Sequence, residues 1–275
     1  MNHLSTVKRP ALRWHGGKWL LAPWIISHFP AHRVYVEPYG GAASVLLRKP
    51  PSYAEVYNDL DGSVVNFFKV LRGDRAQDLI EALRMTPFSR AEFSESYTPH
   101  ADPVEQARRL VIRSFLGFGS NSHQRRSGFR GKGYRAGTLP QDDWRNFADA
   151  LSTISERLRA GVVIEQEPAI TVMRRYDEPF TLHYVDPPYV AETRDAGKDY
   201  AHEMSADDHA AMLDCLNELS GYVILSGYEN ALYGEALSGW SVKKKKHMAD
   251  GARERTEVIW INPSAAKALS DGLLL

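Results

Sequence analysis

Short apolar runs alternate along the chain with longer stretches whose apolar positions recur at helical spacing. Three of the short runs stop at an acid: RVYVEP at Glu37, AEVYND at Asp59 and LHYVDPP at Asp186. The first two lead through a loop into helical patterns, SVLLRK and GSVVNFFKVLR. Further on, ADDHAAMLDCLNEL predicts a helix and GYVILSG at 221–227 a strand. GWSVKKKK and TEVIWIN flank the turn-rich HMADGARER and predict an antiparallel hairpin at one end. Short strands alternating with helices predict an α/β fold, a doubly wound and mostly parallel sheet with helices on both faces.

The interval 73–160 has another texture, helical at both ends (RAQDLIEALRM, PVEQARRLVIRSF, DDWRNFADALSTISERLR) around a glycine-rich centre. It reads as a mainly helical insertion, with 1–72 and 161–275 forming one α/β domain. The 275 residues, 43% of them apolar and 25% charged, suit a globular chain with a full core. A formal net charge of +0 means that any basic surface must be local. The single cysteine, Cys215, excludes an internal disulfide and a multi-cysteine zinc site, and its flanking leucines make it a small core residue. The N-terminus lacks an apolar stretch of signal-peptide length and no apolar run is long enough to span a membrane, so a cytoplasmic protein is expected.

In an open parallel sheet, ligands sit beyond the carboxyl ends of the strands, where Glu37, Asp59 and Asp186 are expected to converge. Glu37 is followed by PYGGAASV, in which Gly40 and Gly41 permit a tight turn and Ala42, Ala43 and Ser44 open the next helix. A purely structural strand-to-helix turn accounts for these glycines equally well. Asn58, Asp59 and Asp61 are each competent to cap the helix expected from near Leu60, although one cap needs only one of them. In RWHGGKW, Gly16 and Gly17 let the chain wrap between the Trp14 face and the Lys18 cation. A plain turn explains the glycines but not the residues that bracket them.

Asp186-Pro187-Pro188-Tyr189 must be a stiff loop, since consecutive prolines remove two backbone donors and fit neither a helix interior nor a central strand. The Asp186 carboxylate and the Pro187 carbonyl, with no N–H beside them, make an acceptor-only pocket. Such a pocket suits an amino group conjugated to a ring, which Tyr189 would stack against.

Taken in order, LRWHGGKW, VEPYGGAASVLL, VYNDLDGSVVNFFKVL and DPPY resemble the Dam-type DNA adenine-N6 methyltransferases, over the N-terminal third and most of the chain after 180. The resemblance implies a Rossmann-like methyltransferase sheet, S-adenosylmethionine as methyl donor and double-stranded DNA as substrate, with base flipping. It implies cofactor contacts from Trp14, Gly17, Lys18, Asp59 and Asp186, with Glu37, Pro38, Tyr39, Gly40 and Gly41 beside the methionine end. Asp186, Pro187, Pro188 and Tyr189 would hold the target adenine. Ala43 stands where the family usually has glycine, and a negative φ is expected there. The same pocket would serve cytosine N4 or an RNA base, and an inactive DNA-binding homologue is the rival from another class. A cognate restriction endonuclease is compatible with this reading but not required.

Between Ala107 and Gln141 there is no acid, while Arg108, Arg109, Arg113, Arg125, Arg126, Arg130, Lys132 and Arg135 fall within that stretch. Interleaved with glycines and with Phe118, Phe129 and Tyr134, these cations read by themselves as a solvated charged loop; within the methyltransferase resemblance they imply a face that meets DNA, with Arg125, Arg126, Arg130, Lys132 and Arg135 as its contacts. Lys243–Lys246 read either as a second phosphate-contacting strip or as a solubilising edge strand. Within KDYAHEMSADDH, Tyr200 and His202 suit a lid, and Ser205 suits a helix cap. The histidines and acids of that stretch lack a metal-ligand spacing, and transfer from a sulfonium needs no metal.

Overall fold

The computed structural model describes residues 7–119, 121–123, 125–131, 139–190, 202–249 and 253–272. The strands are β1 (Val34–Glu37), β2 (Ala54–Asn58), β3 (Val162–Glu165), β4 (Thr181–Val185), β5 (Tyr222–Gly227), β6 (Ser241–Ala249) and β7 (Arg253–Ile261). They form one sheet in the order β3-β2-β1-β4-β5-β7-β6, parallel from β3 through β5 and antiparallel where β7 meets β5 and β6. The chain thus builds outward from β1 in both directions and leaves a switch in strand order between β1 and β4. That is where an open α/β sheet gathers a ligand. The anticipated hairpin is β6–β7. β3 was not anticipated: its run is four residues long, and Val163 is 43% exposed at the sheet edge, so little apolar patterning marks it.

The helices are α1 (Ala22–Ile26), α2 (Ser44–Arg48), α3 (Gly62–Arg72), α4 (Ala76–Met85), α5 (Arg90–Glu95), α6 (Pro103–Leu116), α7 (Pro140–Arg145), α8 (Phe147–Arg159), α9 (Ala169–Arg175), α10 (Ala206–Glu218), α11 (Ala231–Ala236) and α12 (Pro263–Gly272). Pro23 sits in the first turn of the five-residue α1, where a missing N–H costs nothing. α3 opens at Gly62 rather than near Leu60, because Asp61 is the residue that caps it, accepting from Ser63 N–H. Ser205 and Asp208 close a reciprocal capping box on α10.

α4 to α8 lie in the crossover from β2 to β3 and share a buried cluster with α1, α2 and α3. Polar ties reinforce the apolar contact: Ser155 Oγ donates to the Leu71 carbonyl and Arg72 to that of Val162. On the opposite face of the sheet, α10 and α11 cover Val185, Val223, Leu225 and Trp260, with Cys215 buried among them.

Candidate active site

A cavity of about 400 Å³ opens at the carboxyl ends of β1, β2 and β4. Glu37, Asp59 and Asp186 all line it, together with Trp14, Gly17, Lys18, Pro38, Tyr39, Gly40, Gly41, Pro187 and Pro188. Sequence patterning thus located the cavity wall. What each side chain does within it is decided by contacts between distant segments.

The turn after β1 is packed too tightly for side chains at two positions. A Cβ on Gly40 would lie 2.2 Å from the Tyr57 ring, and one on Gly41, at φ +46°, would lie 2.8 Å from Trp14 Nε1. Ala43 departs from expectation. Instead of lying in the helix with negative φ, it caps α2 in the left-handed region at φ 54°, ψ 35°, and is fully buried. α2 opens only at Ser44. A left-handed alanine costs on the order of 1 kcal/mol, held here by the bonds from Ala43 N–H to the Gly40 carbonyl and from Leu47 N–H to that of Ala43.

Because Asp61 caps α3, Asp59 is released to reach sideways. One of its oxygens accepts from Gly41 N–H at 2.8 Å and the other from Asp61 N–H at 2.8 Å, tying the β1 and β2 loops together. Burial pushes its carboxyl up to about 6, against the pull of those two amides. Glu37 is deeper still. Its Oε2 accepts from Tyr35 Oη at 2.7 Å and from Leu46 N–H at 2.9 Å, yet burial raises its carboxyl to about 8.

Asp186 does not sit in an acceptor-only pocket. Lys18 Nζ lies 3.0 Å from its Oδ1, and Ser226 Oγ donates to the same oxygen at 2.8 Å. Burial raises the carboxyl while Lys18 opposes the rise, and the net direction is upward. Both contacts fall on Oδ1, so Oδ2 has no such partner among the described residues. Lys18 in turn is 3.9 Å from Glu257 and 4.7 Å from the centroid of the Tyr189 ring.

Tyr189 is not part of the cavity lining. Its hydroxyl donates to Glu257 Oε1 at 2.6 Å, and its ring meets that of Tyr228 edge-on at 4.6 Å. Ser226 and Glu257 are site residues that sequence reasoning missed. Glu257 is 1% exposed in β7, and its only signal in the sequence is an acid set directly before the apolar run Val258–Ile261. Ser226 carries no comparable signal, being an ordinary small residue at the end of β5. His202 and Met204 line the cavity, whereas Tyr200 lies outside the described residues.

Of the cations in the acid-free stretch, three are consumed inside the protein. Arg108 pairs with Glu105 and Glu92, Arg109 with Glu105 and Glu95, and Arg113 donates to the carbonyls of His123 and Ser96. Acids upstream of the stretch supply most of these partners, which a local charge count does not see. Arg125 and Arg126 are exposed, and Arg130 is half-buried 3.8 Å from Asp143. Lys132, Tyr134 and Arg135 lie outside the described residues. The loop that carries Arg125 and Arg126 is closed by a bridge between Gly117 and Phe129. The Tyr97 hydroxyl steadies it from within, donating to the carbonyls of Ser122 and Arg125 and accepting from Ser127 N–H.

A family model described as D12 class N6 adenine-specific DNA methyltransferase matches residues 14–250. The chain belongs to this family. Its function is accordingly N6-adenine methylation of DNA, in place of the cytosine and RNA alternatives left open by the motifs. Two proteins named DNA adenine methylase, from Vibrio cholerae serotype O1 strains Classical Ogawa 395 and El Tor Inaba N16961, are each 25% identical to this methyltransferase over 218 residues, covering 75% of either chain. The reaction requires a methyl donor. Among the described residues no helix is long and apolar enough to cross a membrane, and no group of His, Cys, Asp or Glu is placed to hold a metal ion.

Proposed function

We propose that the cavity takes S-adenosylmethionine as the donor and that the Asp186–Tyr189 loop receives an adenine swung out of duplex DNA. The observation that carries this reading is the convergence of Glu37, Asp59 and Asp186, from three adjacent strands, on one cavity. Their chemistry suits the cofactor's parts: Glu37 an ammonium, Asp59 ribose hydroxyls, and the Trp14 edge a flat ring. The space left by Gly40 and Gly41 suits backbone-close packing of the methionine end. When bound, the cofactor supplies a methyl group activated on a sulfonium.

The chain's own part is orientation. Asp186 Oδ2 and the Pro187 carbonyl accept the two hydrogens of the adenine amine, drawing its nitrogen toward a tetrahedral shape with the lone pair aimed into the cavity. Lys18 and Ser226, both on Oδ1, fix the carboxylate's rotation so that its other oxygen stays available. Asp186 need not be a strong base, because the amine sheds its proton after attack. Extruding the base costs a few kcal/mol of unstacking. The 73–160 segment offsets that cost by gripping the duplex through Arg125, Arg126 and Arg130, joined by Lys132 and Arg135.

The test is Asp186→Ala, with product nucleosides identified by mass spectrometry. Methyl transfer is expected to fall by at least about a thousandfold, or about 4 kcal/mol, while affinity for duplex DNA stays within a fewfold. Transfer near the parent rate would rule out this role for Asp186.

A further inference from the structure

The tetralysine is divided by the pleat of β6 into two pairs with different surroundings. Residues paired across an antiparallel ladder project from the same face. Lys244 and Lys246 pair with Val258 and Thr256, on the face whose apolar cluster includes α10 and α11. Each has its own acid there: Lys244 is 2.8 Å from Glu229 and Lys246 is 2.8 Å from Glu254. Lys243 and Lys245 pair with Ile259 and Glu257, on the other face. That face packs Ile259 into the cluster containing α1 to α8, and from it Glu257 reaches Tyr189 and Lys18. Among the described residues neither Lys243 nor Lys245 has an acid partner; Lys245 lies 5.7 Å from the Trp24 ring centroid. Both are exposed.

Position along the strands sharpens the contrast. The last residue of β5, Gly227, pairs with Val258, so the stretch of β6–β7 from Lys245 and Glu257 onward runs past the end of β5. β7 is antiparallel to β5, so this extension stands at the same edge as the carboxyl end of β4 and Asp186. Lys245 is thus one strand spacing from the residue that anchors the Tyr189 hydroxyl.

We propose that Lys243 and Lys245 form a second DNA-contacting strip, binding the phosphate backbone beside the extruded base, while Lys244 and Lys246 serve the sheet edge alone. The proposal rests on the DNA-methylating reading above and adds to it a surface outside the 73–160 segment. An anionic backbone is the partner that complements unpaired cations next to a base-binding loop. A merely solubilising edge strand would show no difference between alternate lysines.

The experiment compares Lys243→Gln/Lys245→Gln with Lys244→Gln/Lys246→Gln in the full-length protein, measuring duplex-DNA affinity across a salt series. Each lost phosphate contact lowers the slope of log K against log salt by about 0.9, so the first pair is expected to lower it by about 1.8. Its affinity at low salt should fall about tenfold or more, with turnover at saturating DNA retained. The second pair should match the parent in slope. An unchanged slope in the first pair, or an equal drop in both, would overturn the strip. Failure of the parent protein to methylate any DNA would instead sink the functional reading beneath it.

Discussion

The Glu37 carboxyl is pushed up because the groups around it compensate only in part for the water it has lost. Tyr35 and Leu46 each give it one hydrogen bond, which favours the ionised form, but burial outweighs both and moves the carboxyl from 4.5 to about 8. Between those pH values the folded state binds more protons than the unfolded chain. Its stabilisation is therefore complete below about 4.5 and is lost as pH rises toward 8, by at most about 1.4 kcal/mol per pH unit. Glu37→Gln is neutral throughout and should lack this slope. Urea denaturation at pH 5 and pH 8 should show the parent losing stability relative to the variant across that interval. A constant difference would mean that Glu37 is ionised in both states. Ala43 makes a related point about single residues: its sequence neighbours suggest a helix start, yet the turn around it demands a left-handed backbone.

At the scale of elements, a buried charge cluster joins β2 to α8. Glu55 accepts from Arg157 through both carboxylate oxygens and from Lys49, and Arg157 also donates to the Leu46 carbonyl. Glu55 and Lys49 are each 2% exposed, and Arg157 is 5% exposed. Burial alone would raise the Glu55 carboxyl, but Arg157 and Lys49 together bring it below the usual range. Removing one partner of such a cluster strands the others in a dry interior, which costs more than the cluster itself contributes. Glu55→Gln should therefore destabilise the protein by about 3 kcal/mol or more. A loss under about 1 kcal/mol in chemical denaturation would show that water reaches the site. Nothing in AEVYND distinguishes Glu55 from a solvent-facing acid on an edge strand. Its partner stands 102 positions away, on a helix of the segment that local texture marks as an insertion.

Across the whole molecule, the N-terminal motif is fastened to the segment that carries the exposed arginines. Arg13 N–H donates to Ser114 Oγ, and that hydroxyl returns a bond to the Arg13 carbonyl, linking residues 101 positions apart. One residue on, the Trp14 ring stacks on His123, with centroids 3.7 Å apart and planes 20° apart. Its other edge abuts Gly41 in the cavity wall. Trp14 thus touches the cavity and the arginine-bearing loop at once. Trp14→Ala is expected to weaken cofactor and DNA binding together, each by about tenfold, or about 1.4 kcal/mol. Arg126→Ala, which changes only the loop surface, should weaken DNA binding and leave the cofactor's dissociation constant unchanged. Calorimetric titration of each ligand separates the two cases, and an effect of Trp14→Ala on one ligand alone would refute the linkage.

What the sequence determined by itself is what a few neighbouring residues decide: strands that run out at or just before Glu37, Asp59 and Asp186, a stiff Asp-Pro-Pro-Tyr loop, a terminal hairpin and the Ser205 helix cap. Periodicity, proline sterics and capping chemistry act within a turn or a pleat, so they survive in a linear reading. Only the tertiary structure decided which charges are spent inside the protein and which face outward. Arg108, Arg109 and Arg113 proved internal, Asp186 proved to be held by Lys18 and Ser226, and one run of four lysines split between two faces. Each of these outcomes depends on which groups meet when distant elements pack. A buried charge finds its partner wherever the fold brings one, at no fixed distance along the chain.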